Sequence, residues 1–156
     1  AAYRHLMDQM TGRAEDAAHN DADTPDQALA QFIAANVMPP NLSARKVSLW
    51  ATFIGRAEGE AGYAAIHRES YRDFLDILER LVHPVRAVHD LPADPATCRG
   101  LAIGLNGLID GLWLEGSLGH GLYDPARLPQ IALGAAEGIL RLPDETLLRH
   151  LPEPET

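Results

Sequence analysis

The sequence predicts an all-α domain, a helical bundle of about six helices with a short helix at the C-terminal end. Three observations carry that reading. Apolar residues recur at three- and four-residue spacing along most of the chain. The pairs Thr24-Pro25, Asp94-Pro95 and Asp124-Pro125 each place a capping side chain before a proline, the signature of a helix start. No segment alternates with period two for long enough to make a strand, and Asn106-Gly107 lies inside a helical stretch rather than between apolar runs. With 156 residues, 46% of them apolar, the chain suits a single domain spanning residues 1–156.

The first helix is expected over about residues 1–18, with Tyr3, Leu6, Met7 and Met10 at helical spacing, ending in the polar run from His19 to Asp23. Thr24 caps the second, Pro25 fits its first position and Gln27 completes a capping box. Leu29, Phe32, Ile33 and Asn36 share its inner face, and Pro39-Pro40 stops it. A third helix follows Ser43, with Val47, Trp50, Phe53, Ile54 and Ala57 inward and Gly59 near its end. The fourth is the longest, about 60–83. Tyr63, Ile66, His67, Ser70, Phe74, Ile77, Leu78 and Leu81 form its stripe, and Pro84 is expected to kink or end it. The fifth opens at Asp94-Pro95 and reaches about Gly116; the sixth follows Asp124-Pro125 and runs through Leu140. Pro129 sits too deep for a regular first turn, which moves the regular start of the sixth to Leu128. Residues 144–150 are expected to form the last short helix.

The fifth helix is unusual. Gly100, Gly104, Gly107 and Gly111 fall on one face at spacings of four, three and four. Each interior glycine costs about 1 kcal/mol of helix propensity relative to alanine, so packing must hold this helix. Leu101, Leu105, Leu108 and Leu112 form a second face, and Ala102, Ile109 and Trp113 a third. A helix apolar nearly all round is expected to be buried on most sides. In the sixth, Ile131, Gly134, Ala135 and Gly138 make a comparable small-residue face. Two such helices in one small chain predict a homo-oligomer interface.

Bulk properties narrow the function. The formal charge is −9, from 13 basic and 22 acidic residues, and no basic patch is concentrated enough to hold duplex DNA. The single cysteine, Cys98, allows no internal disulfide, and seven scattered histidines give no zinc spacing; a reducing cytoplasm is the expected setting. The apolar runs fall well short of the ~20 residues that span a bilayer, and no signal peptide is visible. The chain begins already in helical rhythm, which creates the expectation that a further segment precedes it.

No catalytic constellation assembles. A nucleophile elbow, a phosphate loop and a His-Glu-x-x-His are all lacking, and Gly116 to Gly121 joins two helices without a preceding strand. His67-Arg68-Glu69 lacks metal spacing on one helical face, and His83 and His89 read as surface residues. No cofactor or metal is implied. A binding pocket is better supported. Its candidate rings are Phe32, Trp50, Phe53, Tyr63, His67, Phe74 and Trp113. Core packing is the plainer account of each, favoured for Phe32 and Phe74, whereas a buried Trp N–H needs a partner, which places Trp50 and Trp113 beside a cavity or interface as readily as in the core. Asn36, His67, Ser70, Asn106 and Asp110 are polar groups at otherwise apolar positions. Internal hydrogen bonds or a dimer seam would satisfy them; so would one shared polar-lined cavity. Asn106 and Asp110, one turn apart, can face the same space.

The stretch Leu108-Ile109-Asp110-Gly111-Leu112-Trp113-Leu114-Glu115-Gly116, followed by Tyr123-Asp124-Pro125, resembles the C-terminal domain of TetR-family regulators, in particular the choline-responsive BetI branch. Trp50-Ala51-Thr52-Phe53 with the segment from Tyr63 to Leu78 resembles that branch's aromatic helix and its long partner. Ala2-Tyr3-Arg4-His5-Leu6 resembles the link from the helix-turn-helix head. The resemblance implies a ligand-sensing domain walled by the first five helices and a homodimer whose four-helix interface uses residues 98–116 and 125–140. Gly104, Gly107, Gly111, Ile131, Gly134, Ala135 and Gly138 would sit in that interface. It also implies a DNA-binding head before Ala1, through which operator DNA would be bound. His83-Pro84, Pro129, Pro152-Glu153-Pro154 and the loose segment from Glu58 to Gly62 depart from the pattern.

The effector implied is choline or another quaternary ammonium compound; the competing view is an apolar or aromatic effector in the same cavity, with Asp110 only bridging helices. Trp50 and Trp113 would supply ring faces, Asp110 or Glu69 the counter-charge, and Asn36 or Asn106 a hydrogen bond to its tail. The competing reading of the whole chain is a stand-alone helical interaction module whose glycine faces bind a different partner.

Overall fold

The structure is a computed structural model that describes residues 2–20, 22–57, 59–119 and 121–152. Expectations resting on Ala1, on Glu58, on Glu153-Pro154 and on the Tyr3 side chain lie outside the described residues. Among the described residues there are six α-helices and no strand. They are α1 (Ala2–Asn20), α2 (Pro25–Asn36), α3 (Ala44–Ala57), α4 (Ala61–Val88), α5 (Pro95–Leu118) and α6 (Leu128–Leu140).

Local chemistry sets most of the boundaries. The Thr24 side chain accepts from the Gln27 N–H, while the Gln27 side chain reaches back to accept from the Asp23 N–H. Asp94 accepts from the Thr97 N–H at the start of α5, and Gly119, at φ 60°, closes that helix in the left-handed conformation glycine adopts without strain. Pro125–Arg127 forms a separate 3₁₀ turn, capped by Asp124, before regular α6 begins at Leu128. Four expectations need correction. Helix α1 extends to Asn20 rather than residue 18, and α5 to Leu118 rather than Gly116. Residues 144–150 do not form a continuous helix; turns lead into a 3₁₀ turn at Leu148–His150. Helix α4 does not end near Pro84 but continues to Val88. Its last turns are anchored from outside: Val85 and Arg86 are buried, and Arg86 donates to the Leu140 carbonyl at 2.6 Å and the Pro92 carbonyl at 2.9 Å. Tertiary packing thus outweighs the local cost of the proline.

One core runs through the whole bundle. Met10 and Ala14 of α1, Leu29 and Ile33 of α2, Leu78 and Val82 of α4, Leu105 and Ile109 of α5, and Leu133 and Leu140 of α6 are all buried in it. Helix α1 lies on α2, α4 packs between α3 and α5, and α6 closes on α5 and α2. Gly116 permits one close approach, since a Cβ there would meet Leu42 and Leu128 carbons at 2.8 and 2.9 Å.

Helix α5 is not buried on most sides within this chain. Its third face is: Ala102, Ile109 and Trp113 are inside. The glycine side is open, with Ile103 and Leu114 each 49% exposed and no atom within 4 Å of a Cβ built on Gly107 or Gly111. Gly104 differs, because its Cβ would touch Ile139 of α6 at 3.4 Å. Ile131 is exposed as well, 43%. No helix among the described residues is long and apolar enough to cross a membrane.

Candidate functional site

Helices α1, α3, α4 and α5 converge on a small cavity of about 30 Å³, room for about two water molecules. Helix α3 contributes Trp50, α4 contributes His67, Ser70 and Phe74, and α5 contributes Asn106, Asp110 and Trp113. Their register explains the convergence: 67, 70 and 74 lie on one face of α4, as 106, 110 and 113 do on α5. The two tryptophans meet edge to face, ring centroids 6.1 Å apart at 79°.

The electrostatics are one-sided. Asp110 is held by the Asn106 side-chain amide, which donates at 3.2 Å, and no cation pairs with it among the described residues. Burial pushes its carboxyl up to about 6, against the smaller opposing effect of the Asn106 hydrogen bond. Burial also lowers His67, which keeps that imidazole neutral near pH 7. The cavity therefore presents two indole rings, a neutral imidazole and one poorly solvated carboxylate.

Of the eleven sequence-predicted pocket residues, the cavity gathers seven: Trp50, His67, Ser70, Phe74, Asn106, Asp110 and Trp113. Four lie elsewhere. Phe32 is fully buried behind Phe74, ring centroids 5.6 Å apart. Asn36 turns its amide back onto the Phe32 carbonyl within α2, while its own carbonyl accepts from the Trp113 indole N–H. Phe53 and Tyr63 meet edge to face between α3 and α4, ring centroids 5.1 Å apart at 60°. Glu69, offered as a counter-charge, is instead ion-paired with Arg4 away from the cavity. Sequence reasoning missed Met7, Tyr71 and Ile109 as wall residues. Met7 and Ile109 were visible as members of apolar faces, and Tyr71, four residues after His67 and three before Phe74, borders the α4 stripe, its ring centroid 6.0 Å from that of His67.

The family described as BetI-type transcriptional repressor, C-terminal, matches residues 25–141, three quarters of the chain and nearly every wall of this cavity. The chain belongs to that family. Among named relatives of this BetI-type domain, the regulator BetI of Burkholderia thailandensis is 31% identical over 126 residues, covering 80% of this chain and 60% of that protein. BetI of Brucella suis is 29% identical over 128 residues, 81% of this chain and 60% of that protein. The chain thus spans about three fifths of the length of the curated relatives it matches. A Pseudomonas aeruginosa PAO1 protein described as a candidate transcriptional regulator superposes with a TM-score of 0.81 at 20% identity, covering 96% of this chain and 69% of that one, and shows the same all-helical fold. The BetI-type family and these relatives are transcriptional regulators, not enzymes.

Proposed function

We propose that this BetI-type domain senses a small cation, and that it is the dimerising body of a cytoplasmic transcriptional repressor whose DNA-reading segment lies in the length its relatives have beyond it. The observation that carries the effector class is Asp110: a mostly buried carboxylate with an amide partner and no cation, facing a cavity walled by Trp50 and Trp113. A buried anion without a counter-ion favours a cation in the adjoining space, and indole faces favour one that has no N–H to donate. Choline, a quaternary ammonium with a hydroxyl tail, fits that chemistry, and Asn106 is placed to bond the hydroxyl.

The cavity at about 30 Å³ is too small for such a molecule, so effector binding requires its walls to part. Met7 is the α1 residue on the wall, and α1 is the helix through which a preceding segment would be reached. An effector that binds only the opened arrangement shifts the domain toward it by its differential affinity for the two states. In a dimer this would change the separation of two recognition elements from the ~34–36 Å that matches successive major grooves.

Calorimetry with choline and its neutral isostere 3,3-dimethylbutanol tests the effector class. Choline is expected to bind about tenfold or more tighter at pH 7.5, each ring and the carboxylate contributing on the order of a kcal/mol. Asp110→Asn and Trp50→Leu should each remove most of the gap. Affinity for choline should also fall as pH drops through about 6, where the carboxyl takes up its proton, while the isostere stays constant. Equal affinity of the two compounds would end the cation reading.

A further inference from the structure

A groove of about 260 Å³ lies between α1 and α4, and it shares two wall residues, Met7 and Ser70, with the tryptophan-lined cavity. Two side chains thus stand between a space that holds about two waters and a much larger one. Gly12 helps to leave the groove open, with no atom within 4 Å of a Cβ built there.

The other walls of the cavity are tied in place. Trp113 donates its indole N–H to the Asn36 carbonyl and meets Trp50 edge to face, and Phe74 rests on the fully buried Phe32. Moving Trp113 would break a buried hydrogen bond. Met7 has no such tie: it is half-buried and unbranched, with three rotatable bonds, whereas Met10 is buried in the core. Tyr71, 36% exposed and in ring contact with His67, is the competing way out.

The seam beside Met7 is loosely held. Helix α1 packs chiefly on α2, and two ion pairs cross from it to α4, Arg4 with Glu69 and Glu15 with Arg80. All four side chains meet solvent, and pairs of that kind contribute little. The groove is lined by Asp8, Glu15 and Asp73 and by no cationic side chain. Glu15 and Asp73 are paired with the exposed Arg80 and Arg72, while Asp8 has no ion pair among the described residues. A mouth of that charge favours the approach of a cation.

On the effector reading of the inner cavity, we propose that this groove is its way in and that Met7 swings aside to admit the cation. With Met7 displaced, cavity and groove become one space, which supplies the room that the inner cavity lacks. An occupant of that joined space touches α1 and α4 together, so its binding is felt at the seam between them.

Cysteine labelling tests the route without any effector. Ile109→Cys places a thiol on the wall of the cavity and not of the groove, and Asn106→Cys gives a second such position. The probe is 2-(trimethylammonium)ethyl methanethiosulfonate, itself a quaternary ammonium, and mass spectrometry reads the labelling rate at each thiol. Native Cys98, buried and on neither wall, is labelled as the fold around it opens and serves as the reference in every variant. Relative to Cys98, Met7→Ala is expected to speed labelling at position 109 about fivefold or more, and Gly12→Phe to slow it by about as much. Tyr71→Ala should change it less than about twofold. An unchanged rate in Gly12→Phe, or a faster one in Tyr71→Ala than in Met7→Ala, would overturn the proposal. Choline that failed to bind would end the cation reading, and the labelling rates would still decide the route.

Discussion

Asp110 has one amide donor and little water around it, and that defines its energetics. A carboxyl raised from about 3.8 to about 6 holds its proton more tightly folded than unfolded. The folded state therefore binds more protons between those values, and stability falls as pH rises through that window. The full penalty, at most about 3 kcal/mol, is present above pH 6 and absent below about 3.8. Asp110→Asn should accordingly raise unliganded stability at pH 7.5 by about 2 kcal/mol and gain nothing at pH 4, as read by urea denaturation at both values. An equal difference at the two pH values would show that the carboxyl is not strained by burial. A group that weakens the empty fold is what a ligand-binding position looks like, and polar residues at apolar helical positions were its sequence trace. That trace found Ser70, Asn106 and Asp110. It failed for Asn36 because periodicity fixes the face of a helix but not whether an amide turns back onto its own turn, as Asn36 does on Phe32. For Phe32, also named among the candidate rings, core packing was the favoured reading, and the ring does stand in the core, one layer behind Phe74.

Helix starts were legible because their causes are local: a capping oxygen and a proline three times over. Helix ends were less so, because distant residues decide them. Nothing near Pro84 in sequence indicates that α4 continues; the reason is Arg86, fifty-four residues from the Leu140 carbonyl it binds. That guanidinium also closes the last turn of α6, so one buried side chain ties the ends of two helices and the loop at Pro92 together. Arg86→Met should leave both carbonyls without a donor and cost about 2–4 kcal/mol of unfolding free energy. A loss below about 0.5 kcal/mol in the same denaturation assay would mean that water replaces the guanidinium at no cost. The end of α6 holds a smaller strain. Arg141 adopts φ 55° as its C-terminal residue while its N–H bonds back to the helix. Only glycine takes that conformation freely, so Arg141→Gly is expected to stabilise by about 0.5–1 kcal/mol, a rise of a few degrees in melting temperature.

At the scale of the molecule, the apolar surface exceeds what one chain can enclose. The open side of α5 presents Gly107 and Gly111 flanked by Ile103 and Leu114, and α6 presents Ile131 and Gly138 beside it. The sequence showed the small-residue stripes but not their direction: the expectation that α5 would be buried on most sides holds only if another body covers this side. Tolerance at Gly107 makes the question answerable. A side chain there meets nothing within 4 Å in the chain itself, and replacing a mid-helix glycine by glutamate improves helix propensity by about 1 kcal/mol. Gly107→Glu should therefore leave the single chain folded, with helical circular dichroism intact. In a dimer joined through this face the same substitution puts a charge where two helices would touch, and association should be lost. Light scattering at micromolar concentration is expected to give about twice the 16.9 kDa chain mass for the wild type and one chain mass for the variant. A wild type that scatters as a monomer would remove the homodimer from this reading. A variant that stays dimeric would move the interface to another face of the bundle.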